Sequence, residues 1–276
     1  MELEQSVARH YTHGSLEAAV FQAVAASGIG LDRLTPADLA PVDEFHIGGR
    51  QATIDFAAQL DLRPDMHLLD IGCGLGGASR YFAHDRGCRV TGIDLTEEFV
   101  RVAETLSRRV GLADRVAYRQ ANALALPFPA GSFDGAYMLH VGMNIDAKAA
   151  MFAEIRRLLK PGAVFGIYDV MRTGDGALTF PVPWAATGET SFLETPAGYR
   201  RLLEGAGFVV RMERGRRDFA IKFFAQMRAH AGQSGGPPPL GLHILMGGDG
   251  PQKVANMIDN LQRGLIAPTE IVGRAA

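Results

Sequence analysis

The stretch Leu68-Leu69-Asp70-Ile71-Gly72-Cys73-Gly74-Leu75-Gly76-Gly77 decides the fold. It begins as an apolar strand, breaks into glycines, and is followed by a helical pattern. Glycine permits a tight turn and lets backbone approach a ligand where a Cβ would collide. In parallel sheets such turns lie at the carboxyl edge of the strands, where ligands bind at the topological switch point.

Around this stretch, from about Pro64 to Gly166, strand-like runs alternate with helical ones. MHLLDIG (66–72), CRVTGID (88–94), RVAYRQA (115–121), FDGAYML (133–139) and AVFGIYDV (163–170) read as strands. LTEEFVRVAETLSRRV (95–110) and DAKAAMFAEIRRLLK (146–160) read as helices, the second with Asp146 as N-cap and Lys160-Pro161-Gly162 as stop. Continuously apolar strands separated by helices imply a parallel sheet covered on both faces. A helix over Gly49–Leu62 precedes the first strand. Residues 171–194, rich in Gly, Pro and Thr and holding the single tryptophan, Trp184, read as an ordered loop near a pocket. Thr195-Pro196 opens a helix to Glu204, and FVVRMER (208–214) is a sixth strand. Two helical runs (219–232 and 252–264) flank the breaker GQSGGPPPLG, and LIAPTEIVGRA (265–275) is the candidate last strand.

The implied layout is an N-terminal helical lid (1–48) and one domain (49–276), with residues 217–264 as a helical insertion before the last strand. Phe219, Phe223, Phe224, Met227 and Met246 make that insertion a candidate roof for an apolar pocket, although such a stripe also serves as plain core. The short basic run Arg211–Arg217 reads as a solvated strand end.

With 276 residues, 47% hydrophobic and 21% charged, and net charge −2, the composition is that of an ordinary globular protein. It lacks the electrostatic footprint of a nucleic-acid binder. The first residues, MELEQSVARHYTHGSLEAAV, do not read as a signal peptide, and no stretch approaches the roughly 18 apolar residues that span a bilayer. Cys73 and Cys88 lack metal or redox spacing, and no His pair stands at helical i, i+4 spacing beside a carboxylate. The expectation is a cytoplasmic protein, monomer or homodimer, that acts on a small molecule without metal, nucleic acid or membrane.

Gly72, Gly74 and Gly77 also satisfy the dinucleotide fingerprint G-x-G-x-x-G, so the loop alone leaves the ligand open. Its neighbours discriminate. Asp70 stands two residues before the first glycine, where a carboxylate would repel a phosphate but suit an ammonium and a sulfonium. Asp94 ends the second strand about 20 residues on, placed to accept both hydroxyls of a ribose. Gln120-Ala121-Asn122-Ala123-Leu124 closes the third strand, with a side-chain amide for an adenine edge. Singly, Asp70 would suit a turn and Asp94 a helix cap. Together they describe a nucleoside site without a pyrophosphate, as S-adenosylmethionine requires.

These residues resemble the class I S-adenosylmethionine-dependent methyltransferases over roughly Tyr11 to Phe208. LDIGCGLGG, GIDL, ANALALPFPAGSFD, RLLKPG and FGIYDV follow in the family's order. The resemblance implies an α/β fold with a seven-stranded, mostly parallel sheet, helices on both faces, and an antiparallel last strand beside the fifth. It assigns the cofactor to Asp70, Gly72, Gly74, Gly76, Asp94, Leu95, Asn122, Ala123 and His140.

More narrowly, DEFHIGGRQAT with GLGG is similar to the sarcosine/dimethylglycine and phosphoethanolamine N-methyltransferase group. That group folds an N-terminal segment over the site and supplies a tyrosine, a place held here by Tyr11. The chain departs from the group at His140, where an acid is usual, and at Asn144, where a histidine is. It departs from the superfamily at Asn122, usually Asp. His140 is then the candidate base, because imidazole is largely neutral near pH 7. Tyr11 and Asn144 would orient substrate or cover the cofactor, and Trp184 would form a pocket wall. The expected reaction is methylation of a small amine nitrogen. Alternatives are C- or O-methylation of a hydrophobic acceptor (a quinone, polyketide or lipid-like molecule), nicotinamide-dependent oxidoreduction, and non-catalytic ligand binding.

Overall fold

A computed structural model describes residues 2–12, 14–234 and 238–276. Seven strands form one sheet: β1 (His67–Ile71), β2 (Arg89–Asp94), β3 (Val116–Gln120), β4 (Phe133–Leu139), β5 (Leu159–Arg172), β6 (Phe208–Gly215) and β7 (Ile266–Ala275). Their order is β3-β2-β1-β4-β5-β7-β6. β1 to β5 pair in parallel, and β7 runs antiparallel between β5 and β6. The expected fold class is therefore borne out, including the inserted last strand.

The helices among the described residues are α1 (Glu2–Tyr11), α2 (Leu16–Ala26), α3 (Pro36–Asp43), α4 (Gly49–Ala57), α5 (Gly77–His84), α6 (Glu97–Arg109), α7 (Lys148–Leu158), α8 (Pro196–Gly205), α9 (Arg217–Ser234), α10 (His243–Met246) and α11 (Gly250–Gln262). The two-residue period of a strand sorts them onto two faces. Leu69 and Ile71 pack with Phe152, Ile155 and Leu203 of α7 and α8. Leu68, one residue before Leu69, packs with Phe56 and Phe82 of α4 and α5 on the opposite face. A third apolar cluster joins α2 and α3 to Phe99, Val102 and Leu106 of α6, and a fourth joins Trp184 to Phe224, Met257 and Leu261 of α9 and α11. Strand order reverses between β1 and β4, so the glycine turn after β1 opens at the switch point.

Several local expectations differ from the structure. α4 stops at Ala57 rather than Leu62. Ala147, not Asp146, caps α7, and the chain passes from Leu158 directly into β5. Lys160-Pro161-Gly162 thus lies in a strand, because Leu159 pairs with Phe133 and the extra residues form an irregularity in that pairing. The basic run is a solvated end only at Arg211, which is exposed. Antiparallel pairing sets Arg214 opposite Glu270, and the buried Glu270 carboxylate meets Arg214 at 2.6 Å and Arg216 at 3.3 Å. Arg216 also meets Asp55 at 2.7 Å. Thr195 caps α8 as expected, its Oγ1 accepting from Gly198 N at 3.0 Å. Of the expected breaker 232–241, residues 235–237 lie outside the described residues. No helix among the described residues is long and apolar enough to cross a membrane.

Candidate functional site

At the carboxyl ends of β1, β2 and β4 lies one large cavity of about 1390 Å³. Its floor is built from residues the sequence singles out. Gly74 adopts φ +53° with open space where a Cβ would stand, so its backbone is presented bare to the cavity. Asp94 holds the loop in place: one carboxylate oxygen accepts from Gly74 N at 2.9 Å, the other from Thr96 N at 2.8 Å. Each oxygen keeps a further lone pair, enough for a ribose diol. Burial in this wall pushes the Asp94 carboxyl above its ordinary range. Leu95, Ala123 and Phe99 are apolar neighbours on the same wall. Asn122 Oδ1 accepts from Leu124 N at 3.0 Å and Nδ2 donates to Glu4 Oε1 at 2.9 Å, which ties α1 across the cavity.

Two expected cofactor residues lie off this floor. Asp70 is buried one layer down, accepting from Ser79 Oγ at 2.6 Å, and burial raises its pKa to about 7. It reaches only a side recess of about 50 Å³, shared with Gly72, Gly74 and Phe99. Gly76 caps α5 against the Tyr118 hydroxyl, 2.3 Å from where its Cβ would be, so that glycine serves packing.

The N-terminus of α5 settles a chemical question. In a dinucleotide site this end faces a pyrophosphate. Here Asp43 fills it: a Cβ on Gly77 would stand 2.3 Å from the Asp43 carbonyl oxygen and 2.6 Å from its carboxylate. The buried guanidinium of Arg80 meets that carboxylate at 2.5 Å. An acid already occupying the position excludes a phosphate by volume and by charge.

Beyond the floor the cavity widens into an apolar chamber. Phe223, Phe224 and Met227 of α9, Met246 of α10, and Val254 and Met257 of α11 line it, so the insertion does roof the pocket. Phe219 turns elsewhere and packs on Gly48. Trp184 lines the wall, its indole Nε1 donating to Ser191 Oγ at 2.9 Å. The Tyr11 hydroxyl donates to Asn144 Oδ1 at 3.3 Å, and Asn144 Nδ2 donates to the Trp184 carbonyl at 2.9 Å. Tyr11, Asn144 and Trp184 are thus brought together into one polar seam. Arg50 is the one Lys or Arg among the described lining residues, and it is bound to Asp85 at 2.8 Å. No group of three His, Cys, Asp or Glu residues that could hold a metal ion occurs among the described residues.

His140 borders the cavity at φ +56°, with both ring nitrogens engaged. Nδ1 faces the Tyr168 carbonyl at 3.2 Å and therefore carries the hydrogen; Nε2 accepts from Ile47 N at 3.3 Å. Burial, with His46 adjacent, pushes its pKa down to about 3. The ring is neutral, as expected of a base, but its lone pair is already spent on backbone.

Sequence reasoning missed the adjoining pair, Glu44 and His46, both buried and both lining the cavity. Glu44 Oε2 accepts from Thr53 Oγ1 at 2.8 Å and lies 3.7 Å from His46 Nε2. The signal available was two acids and an imidazole set among the apolar residues of Val42-Asp43-Glu44-Phe45-His46-Ile47.

Residues 69–167 match the family described as Methyltransferase domain. The chain carries a class I, S-adenosylmethionine-dependent methyltransferase domain. A sterol 24-C-methyltransferase of Gibberella zeae (ERG6B) is 35% identical over 117 residues, 42% of this chain and 31% of that protein. The match thus spans about a third of that curated relative. Among solved structures, the geranyl diphosphate C-methyltransferase of Streptomyces coelicolor A3(2) superposes with a TM-score of 0.71 at 17% identity, over 100% of this chain and 98% of that one. The 4+2 cyclase SpnF does so equally well, with a TM-score of 0.71 at 21% identity over 99% and 96%. Such likeness carries the fold and no more. The floor residues fit the methyltransferase cofactor: a bare glycine backbone, a carboxylate with lone pairs to offer a diol, and an acid at the N-terminus of α5 where a dinucleotide site would hold a pyrophosphate.

Proposed function

We propose that the protein transfers a methyl group from S-adenosylmethionine to carbon or oxygen of a sizeable, apolar, non-anionic acceptor. The observation that carries this reading is the chamber. Drug-sized ligand pockets run to roughly 300–1,000 Å³, and this cavity of about 1390 Å³ has room for a second ligand beyond the cofactor floor. Its far wall is phenylalanine, methionine and tryptophan, which a small amine would leave largely unfilled. With Arg50 committed to Asp85, the described lining residues of the chamber offer no free Lys or Arg for a phosphorylated acceptor. The chamber thus supports the apolar alternative over the small amine first expected.

In this reading Gly72, Gly74, Asp94, Leu95, Asn122 and Ala123 hold the cofactor, with Asp94 on the ribose. When bound, S-adenosylmethionine supplies the electrophilic methyl on its sulfonium. Tyr11, Asn144 and Trp184 close the seam above it, excluding water and fixing the acceptor's approach; such positioning supplies much of the rate enhancement in displacement reactions. His140 anchors Ile47 rather than moving a proton.

A panel assay tests this: S-adenosylmethionine with sterols, prenyl alcohols and polyketide phenols in one arm, sarcosine and phosphoethanolamine in the other, products read by mass spectrometry. Turnover in the apolar arm is the expected outcome. Turnover confined to the small amines overturns the reading.

A further inference from the structure

His46 holds a lone pair that no hydrogen bond among the described residues uses. Its Nε2 lies 3.1 Å from the Gly49 carbonyl and 3.1 Å from Thr53 Oγ1. A carbonyl only accepts, so Nε2 carries the hydrogen and Nδ1 the lone pair. Nδ1 makes no hydrogen bond among the described residues, and the ring lines the cavity. Behind the ring stands Glu44, 1% exposed, with Oε2 on Thr53 and Oε1 buried without a hydrogen bond. The neighbouring histidine fixes this arrangement: by accepting from Ile47 N across 93 positions of sequence, His140 holds the loop that carries His46.

We propose that His46 is the general base of the methyl transfer, with Glu44 as the positioning residue behind it. The proposal rests on the acceptor reading above and narrows it to acceptors that lose a proton, such as a hydroxyl or an acidic C–H. The acceptor's X–H bond breaks and its electron pair forms the X–CH₃ bond. The pair of the broken S–C bond stays on sulfur as a neutral thioether. The proton goes to His46 Nδ1, so the positive charge that began on sulfur ends on imidazolium, with Nε2–H turned towards Gly49, Thr53 and Glu44.

The electrostatics support the assignment. Burial holds the His46 pKa down to about 4, so the ring is neutral and its Nδ1 lone pair unprotonated over the physiological range. Burial and the charge of Asp43 push Glu44 up to about 8. The titratable and charged groups facing the pair are Asp43 of α3, Arg50 of α4, Arg80 of α5, His140 after β4, Tyr168 of β5, and Asp70 and Cys73 across the recess. As Glu44 ionises near pH 8, its charge stabilises the imidazolium, so turnover rises through that range.

Two measurements decide it. The first is ¹⁵N NMR of the imidazoles in the full chain with S-adenosylhomocysteine added, which needs no acceptor. His46 is expected as the neutral Nε2–H form with bare Nδ1 down to about pH 5; an Nδ1–H form overturns the proposal. The second uses whichever panel acceptor the wild type turns over. His46→Gln should lower kcat roughly 10²–10⁴-fold with S-adenosylhomocysteine affinity unchanged, and Glu44→Gln should abolish the rise near pH 8. Retained turnover in folded His46→Gln overturns the proposal. Failure of the whole apolar arm sinks the acceptor reading instead, and the NMR result still stands on its own.

Discussion

The Asp43 carboxylate and the Arg80 guanidinium meet at 2.5 Å beneath the first turn of α5, with both side chains sealed from water. Arg80 further donates to the Leu75 carbonyl at 2.7 Å and Ser107 Oγ at 3.0 Å, so this pair ties the glycine loop, α3 and α6 together. Burying two charges carries a desolvation cost that the fold accepts only where the partners are complete.

Removing one partner should therefore be severe. Arg80→Met strands a buried carboxylate and should cost about 3–5 kcal/mol in urea unfolding. Arg80→Met with Asp43→Leu should recover a good part of that loss, because no charge is then left unpaired. A double variant no more stable than Arg80→Met would show the pair to be irrelevant to stability. In the wild type, S-adenosylhomocysteine should raise Tm while a nicotinamide dinucleotide leaves it unmoved, since Asp43 holds the place of the pyrophosphate.

Asp94→Ala should weaken S-adenosylhomocysteine binding by about 1.5–3 kcal/mol in calorimetry, the usual worth of hydrogen bonds to a charged group. Because Asp94 also accepts from Gly74 N and Thr96 N, a fall in Tm should accompany it. Unchanged affinity would leave Asp94 as a loop brace only.

Gly48→Ala probes the roof. Gly48 adopts φ +93°, and an added Cβ would stand 2.4 Å from the Phe219 ring. A left-handed backbone alone costs an L-residue about 1–2 kcal/mol, and relief of the clash must move α9. The expected outcome is a lower Tm together with a higher KM for the apolar acceptor, while cofactor affinity holds. A change in Tm with KM untouched would separate the roof from acceptor binding.

Acid should unfold the protein earlier than its carboxylates alone require. Burial holds His46 near pKa 4 and His140 near 3, whereas an unfolded histidine titrates at about 6.5. At these two rings the unfolded chain binds protons that the folded chain refuses, so the histidine contribution to stability is full above pH 6.5 and declines as pH falls towards 4, opposite in sign to that of the buried Asp70 and Glu44 carboxyls, raised to about 7 and 8. His140→Asn, a residue tolerant of the left-handed backbone found there, should flatten that decline in urea titrations at pH 7, 5.5 and 4.5. An unaltered slope would mean that His140 is not buried in its neutral form.

Much of the fold was legible because each strand reports its surroundings locally. Leu68, Leu69 and Ile71 face helices on both sides, so their run is apolar whatever the rest of the chain does. Asp94 was legible as well, since strand end, spacing and charge point to one ligand. The base was not. His140 occupies the expected place, yet which histidine keeps a lone pair depends on the backbone groups of Ile47, Gly49 and Tyr168, distant in sequence from at least one of the two rings. Pairing likewise defeated the reading of Arg214 and Arg216, whose partner Glu270 arrives only when β7 joins the sheet.

The place of β7 has a consequence for how the chain is made. β5 pairs on one side with β4 but on the other with β7, from Val164 opposite Arg274 to Arg172 opposite Ile266. Translation delivers β5 and β6 well before the strand that joins them. Until β7 leaves the ribosome, β5 presents a long apolar edge with its amides unsatisfied, the kind of surface that recruits another strand. The nascent protein thus passes through an interval in which that edge is open to other strands, and substitutions in β7 should lower soluble yield out of proportion to their effect on the finished fold.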